Sequence, residues 1–203
     1  METKIITEKQ LALAIEAVRA KNTIAFKTDT IYGLSCLSTS ETACNNLAKI
    51  KGREGKPLIL LISKNTDLSQ YIGAVSSTAK KVMDKFWPGP LTIIFPLKYP
   101  FCDTITCGNS TIAIRMPDDG LCEKLISAVG EPIVSTSANL SGEKPLNSPD
   151  SIFETFKGKI PYIIDSGLPK TTSSSTIISI DGENISILRE GAISKEDIFS
   201  LIS

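Results

Sequence analysis

The chain is 203 residues long with 41% hydrophobic content, enough to build one domain around a real core, and a single domain over 1–203 is the expectation. Lys plus Arg and Asp plus Glu both total 22, so the formal net charge is zero and no global field draws nucleic acid or an anionic membrane; any basic site must be local. There is no histidine, which excludes Ser-His and Cys-His catalysis, argues against a zinc site and leaves carboxylates, lysines, hydroxyls, water or the substrate to move protons.

The opening "METKIITEKQ" lacks the apolar core of a signal peptide, and no apolar run approaches the roughly 18 residues of a membrane helix. A cytoplasmic protein without membrane contact is expected. "TEKQLALAIEAVRAKN" spaces Leu11, Ile15 and Val18 at i, i+4 and i+7, which predicts an amphipathic helix with Thr7 placed to cap it. "TIAF" follows as a short strand, then a helix over 40–51 with Ser40 as its cap. "PLILLI" reads as a strand buried on both faces. A helix over 76–86 is stopped by "WPGP", because proline neither continues a helix nor favours one in the residue before it. "LTIIF", "STIAIR", "EPIVS", "PYIID", "STIISI" and "ISILRE" are β-rich, interleaved with helical stretches near 119–129, 149–157 and 194–202. The alternation predicts an α/β fold, a twisted mixed sheet with flanking helices. The Ser/Thr-rich "PKTTSSSTIISI" reads as a mobile loop entering a strand, and its composition over 166–176 suits a gate. Five cysteines, odd in number and never spaced CxxC, predict reduced and mostly buried thiols.

Four polar stretches follow or interrupt these apolar runs. "FKTDTIYGLS" leaves a strand and sets Thr28, Asp29, Thr30 and Tyr32 before Gly33, where a small polar ligand would gather in an open α/β sheet; a plain polar turn is the ordinary explanation. "KIKGREGKPL" gathers Lys49, Lys51, Arg53 and Lys56 between glycines, a set that would balance a polyphosphate although the spacing is not that of a P-loop; a solvated loop competes evenly. "STIAIRMPDD" puts Arg115 at a strand end, where its planar fork suits a carboxylate or phosphate, against a surface ion pair with Asp118 or Asp119. "PIVSTSANLSG" sets Ser135, Thr136, Ser137, Asn139 and Ser141 almost side by side, donors for anionic oxygens or simply Asx and Ser/Thr turns.

Taken together, "KTDTIYGLS", "KGREGKPLILLI", "WPGPLTIIF", "IAIRMPDD", "STSANLSG", "SSSTIISI" and "ILREGAI" resemble, in order and spacing, the YrdC/TsaC family of threonylcarbamoyl-AMP synthases over nearly the whole chain. The resemblance implies a YrdC-like fold with a concave, positively lined cavity. It also implies a nucleotidyltransferase that joins L-threonine, bicarbonate and ATP into threonylcarbamoyl-AMP and pyrophosphate, with Mg2+ accompanying the nucleotide. The adenylate would serve the threonylcarbamoyl-transferase machinery that modifies tRNA. Carried over by position, the family's KxR falls on Lys51 and Arg53, the catalytic candidates, and its SxN on Ser137 and Asn139. Arg53, Lys56, Thr111, Ser137, Asn139 and Arg189 look like ATP contacts; Thr30, Arg115, Ser135 and Ser175 look like threonine contacts, with Arg115 on the carboxylate. Lys27, Leu61 and Ser174 depart from the family pattern, which usually has proline, often histidine and proline there. The end at Ser203 suits the single-domain form, which implies separate partners. The alternative is a tRNA- or double-stranded-RNA-binding module of the same fold using the Lys51–Lys56 patch, for which an aromatic content of 6% offers little base stacking. A third option keeps the fold but acts on another carbamoyl adenylate.

Overall fold

A computed structural model describes all residues except Arg53, Glu54, Lys170, Thr172, Ile202 and Ser203. The predicted helices form where their caps place them. Thr7 caps a short 3-10 turn, with Gln10 Oε1 accepting the Thr7 backbone N–H at 3.2 Å, so α1 (Leu11–Arg19) starts later than its cap suggests. The Ser40 hydroxyl accepts Ala43 N–H at 3.3 Å and opens α2 (Glu41–Lys51), which Gly52 closes at φ 62°, in the left-handed region that glycine enters without a side-chain clash. Ser76 caps α3 (Ser77–Phe86), Asp119 caps α5 (Gly120–Val129), Ser148 caps α6 (Pro149–Phe156) and Ser194 caps α7 (Lys195–Phe199). A one-turn α4 (Asp103–Thr106) lies between α3 and α5 and carries no periodic signal.

Among the described residues ten strands form one sheet. In chain order they are β1 (Lys4–Thr7), β2 (Ile24–Lys27), β3 (Tyr32–Leu37), β4 (Ile59–Leu61), β5 (Leu91–Pro96), β6 (Thr111–Arg115), β7 (Ile133–Ser137), β8 (Tyr162–Asp165), β9 (Thr176–Asp181) and β10 (Asn184–Arg189). The spatial order is β1-β8-β2-β3-β7-β4-β6-β5-β9-β10. Pairs β1/β8, β2/β8, β4/β6 and β5/β9 are parallel and the other five are antiparallel, as a mixed sheet requires. Two strands escape the sequence pattern. β1 shows a single buried residue, Ile6, and β3 sits inside the stretch read as a polar turn, because Gly33 and Ser35 interrupt its apolar run.

The helices divide unequally between the faces. α2, α3, α4, α6 and α7 bury residues such as Leu47, Val82, Ile105, Phe156 and Ile198 against one face of the sheet. On the other, α1 and α5 pack Val18, Leu121 and Leu125 over Ile24, Phe26, Leu61, Ile133 and Ile164. Each fully buried Ile, Leu or Phe stabilises the fold by about 1.5–3 kcal/mol before the cost of ordering it. Among the described residues no helix is long and apolar enough to cross a membrane, and the cysteines are free thiols, with Cys36, Cys44 and Cys122 buried.

Candidate active site

Where α1 and α5 stop, that second face stays open and forms a cleft of about 380 Å³ lined wholly by strand and loop residues. Its floor follows from strand alternation, since residues two apart point to the same side. Ile94 pairs with Ala113, Ala113 with Ile59, and Ile59 with Ser135, making one row across β5, β6, β4 and β7; Arg115 and Leu61 begin the next. All six line the cleft, while Ile93, Ile114, Leu60 and Val134 between them turn into the opposite core.

At one end the β2–β3 turn presents Thr30 to Arg115. The Thr28 hydroxyl donates to the Ile31 carbonyl at 3.0 Å, accepts Thr30 N–H at 3.2 Å and lies 2.9 Å from the Thr30 hydroxyl, so one side chain orders the whole turn. Arg115 is 4% exposed. Its Nε donates to the Gly89 carbonyl at 3.1 Å, Nη1 to Thr30 Oγ1 at 2.9 Å, and Nη2 to Asp29 Oδ1 in an ion pair. The surface partnership with Asp118 or Asp119 therefore does not form; Asp119 is spent on the α5 cap, accepting Leu121 and Cys122 N–H. Burial, reinforced by the charges of Asp119 and Asp29, pushes the Cys122 thiol well above its ordinary pKa, so it stays protonated and is no nucleophile.

The middle of the cleft is set by β7. Ser135 lies so close to β3 that a Cβ on Gly33 would fall 2.6 Å from Ser135 Oγ, which explains a glycine in the strand interior. Ser137 and Asn139 hold Lys51, the last residue of α2 and 2% exposed. Its ammonium donates to Ser137 O at 2.5 Å, Ser137 Oγ at 3.2 Å, Asn139 O at 3.1 Å and Asn139 Oδ1 at 3.0 Å. The Asn139 amide nitrogen donates to the Leu140 and Glu143 carbonyls at 2.6 and 2.8 Å, so its carboxamide is used at both ends. These oxygens offset the desolvation of the ammonium, and Ser137 carries its influence to the cleft wall.

The far wall comes from β9 and β10. A register shift between Ile187 and Arg189 bends β10 and turns both Leu188 and Arg189 onto the cleft. Arg189 donates through Nε and Nη2 to the Ser175 carbonyl at 3.2 and 2.8 Å, and through Nη2 to Ser175 Oγ at 3.2 Å; that hydroxyl lies 2.8 Å from Thr92 Oγ1. The turn after Arg189 packs on the same segment: a Cβ on Gly191 would fall 2.2 Å from the Ser174 carbonyl oxygen.

Of the residues singled out from sequence, Thr30, Arg115, Ser135, Ser137, Ser175 and Arg189 line this one cleft. Lys51 and Asn139 stand behind Ser137 rather than in the lining. Lys56 is exposed beside Pro57, which does line the cleft, and Thr111 lies at the start of β6, outside the lining. Arg53 lies outside the described residues. The Ser/Thr-rich 166–176 loop includes Lys170 and Thr172, also outside them, while its Ser174 and Ser175 form wall. Of the departures, Leu61 and Ser174 fall in the lining and Lys27 ends β2, its carbonyl accepting the Cys122 thiol at 3.7 Å. Sequence reasoning missed the apolar floor and Leu188; alternation around Arg115 and Leu61 carried the signal for Ala113 and Ile59.

A family model described as "Telomere recombination", that of the Sua5/YciO/YrdC group, matches residues 16–191. Threonylcarbamoyl-AMP synthase from Bacillus subtilis is 36% identical over 197 residues, 96% of this chain and 57% of the relative. That from Pyrococcus abyssi is 34% identical over 198 residues, covering 97% and 58%. The chain thus spans less than three-fifths of the length of these two relatives. The crystal structure of P. abyssi Sua5 complexed with L-threonine superposes with a TM-score of 0.93 at 33% identity, over 98% of this chain and 61% of that one. Escherichia coli YciO, at 23% identity and a TM-score of 0.85 over 97% of this chain and 99% of its own, shows the shared fold.

Proposed function

Because the chain belongs to the Sua5/YciO/YrdC family, we propose that it converts L-threonine, bicarbonate and ATP into L-threonylcarbamoyl-AMP and pyrophosphate. The observation that carries this reading is the convergence of a carboxylate-type site, Arg115 with Thr30, and a second basic site, Arg189 with Ser175 and the Ser137–Lys51 contact, on one cleft of about 380 Å³. Such a volume suits small ligands rather than a duplex, and supports a synthase over an RNA-binding module. The relatives' names and the threonine complex of the Pyrococcus structure point the same way.

In this scheme threonine enters with its carboxylate on Arg115 and Thr30, beside Ser135. Its amine attacks the carbon of bicarbonate, and a C–O bond breaks with loss of water and a proton to leave the carbamate; a carbamate oxygen then attacks the α-phosphorus of ATP, and the new P–O bond forms as the bridge to the β-phosphate breaks and pyrophosphate leaves. Arg53, Lys56, Thr111, Ser137, Asn139 and Arg189 are assigned to the nucleotide, Ser175 to threonine. Lys51 and Arg53 are assigned to the reacting phosphates, with Lys51 acting through Ser137. Fixed donors and buried cations favour charge that develops during transfer, because they need no reorganisation. Mg2+ is read as riding on the triphosphate, whose charge it would offset; among the described residues no three potential ligands cluster. The product would feed a tRNA-modifying transferase.

The test is pyrophosphate release from the purified chain with ATP and bicarbonate, with and without L-threonine. Threonine-dependent release is expected; its absence, where a relative is active, overturns the reading. Arg115→Ala is expected to weaken threonine binding by roughly tenfold to a hundredfold, the worth of a charged hydrogen-bonded pair, with ATP binding kept. Equal threonine binding by calorimetry would reassign Arg115.

A further inference from the structure

The Arg115 end of the cleft holds a carboxylate to which the proposed reaction gives no task. Asp29 lies in the turn whose Thr28, Thr30 and Ile31 line the cleft, yet it is not itself in the lining, and its side chain is 11% exposed. Its Oδ1 takes the Arg115 Nη2 hydrogen bond, and its buried Oδ2 has no hydrogen-bond partner among the described residues. A buried carboxylate oxygen left unpaired costs stability, so a role besides packing is called for.

We propose that Asp29 is a positioning residue that sorts the two anions sharing this cleft, tuning Arg115 to take a carboxylate and to refuse phosphate. The inference rests on the synthase reading. A guanidinium has five N–H groups, and Gly89 O, Thr30 Oγ1 and Asp29 Oδ1 engage one each on Nε, Nη1 and Nη2. Among the described residues one N–H remains on each terminal nitrogen, the number a bidentate carboxylate needs. Asp29 also cancels most of the charge of Arg115 as seen from the cleft. Its repulsion grows with the charge of the incoming ligand, so pyrophosphate, with about three charges, is opposed about three times as strongly as a single carboxylate at equal distance. A cleft that must hold a triphosphate and an amino acid side by side needs such a bias, because an unscreened Arg115 would draw phosphate into the amino-acid half.

Isothermal titration of wild type, Asp29→Asn and Asp29→Glu with L-threonine and with inorganic pyrophosphate tests this. The quantities read are the ratio of the two dissociation constants and the pyrophosphate constant by itself, which must tighten for a shifted ratio to count. Asp29→Asn is expected to shift it at least tenfold toward pyrophosphate and to make pyrophosphate compete with threonine. Asp29→Glu keeps the charge and alters the reach, so it is expected to weaken threonine while still excluding pyrophosphate. A scaffold role alone would lower threonine affinity in Asp29→Asn and leave pyrophosphate binding unmoved, and that result overturns the proposal, as does an unchanged ratio. Should Asp29→Asn fail to fold, Asp29→Ser, which also removes the charge, takes its place: tighter pyrophosphate that competes with threonine supports sorting, and unmoved pyrophosphate binding overturns it. If wild type binds no threonine, the synthase reading itself falls; if wild type binds it and Asp29→Asn leaves the ratio in place, only the role of Asp29 falls.

Discussion

The two faces of the sheet are made by alternate residues of the same strands, yet they meet different fates. In β4, Leu60 enters a core sealed by five helices, whereas Ile59 and Leu61 face the side that α1 and α5 cover in part and the cleft occupies in part. The lesson is that the cleft is not carved out of the core; it is the length of sheet that no helix covers, floored by hydrophobic residues and edged by polar ones. One side of the backbone is given wholly to packing, while the other is shared between the smaller core under α1 and α5 and the cleft.

The sharpest way to break this contrast is to truncate neighbours. Leu60→Ala should cost about 2–5 kcal/mol through lost transfer energy and a cavity, read by denaturant unfolding, and Ile59→Ala distinctly less, because Ile59 is only half-buried. Equal losses would mean that both faces are sealed alike. The Lys51 contact is the next largest effect. Lys51→Ala strands oxygens of Ser137 and Asn139, at about 1–3 kcal/mol, and combining it with Asn139→Ala should cost clearly less than the sum, since the two share hydrogen bonds. Additive losses would separate them. Gly33→Ala acts on the boundary between the faces. Its new Cβ must displace Ser135, so we expect about 1–2 kcal/mol of destabilisation from the strained close contact and several-fold weaker threonine binding by calorimetry.

The smallest effect lies far from the cleft. Glu183, in the β9–β10 turn, accepts hydrogen bonds from Thr78 and from Ser77, which hold its carboxyl below its ordinary pKa. A depressed folded-state pKa stabilises above the unfolded value and is lost as pH falls through the folded one, so Glu183→Gln should flatten the acid limb of the stability curve slightly and leave neutral-pH binding alone. An unchanged acid limb would show that the contact is spent in solvent.

The sequence exposed much of this plan, unevenly. Ser40, legible in the sequence as a cap, opens α2, and the structure shows the same local device in Ser76, Asp119, Ser148 and Ser194 at the starts of α3, α5, α6 and α7. β1 was illegible because an edge strand with one buried residue leaves no alternation to read, and β3 because Gly33 in its interior serves the close approach of Ser135 in β7. Six of the residues picked out by family-ordered blocks line one cleft. What they could not give is depth: that Lys51 and Asn139 stand behind Ser137, and that Arg115 reaches back to Asp29 rather than forward to Asp118 or Asp119, depends on rotamers and on strands brought together from distant parts of the chain.

Strand β8 lies between β1 and β2, pairing Ile164 with Ile6 and Ile163 with Ala25. During vectorial synthesis the first strand therefore emerges from the ribosome with no neighbour, and at typical elongation rates it waits on the order of 10–30 s for its partner to be made. The cleft waits longer still, since Ser175 and Arg189 come after it in the chain. Until then the nascent chain exposes an unpaired edge, and it is in that interval, rather than in the finished fold, that chaperone capture or aggregation competes with the birth of the site.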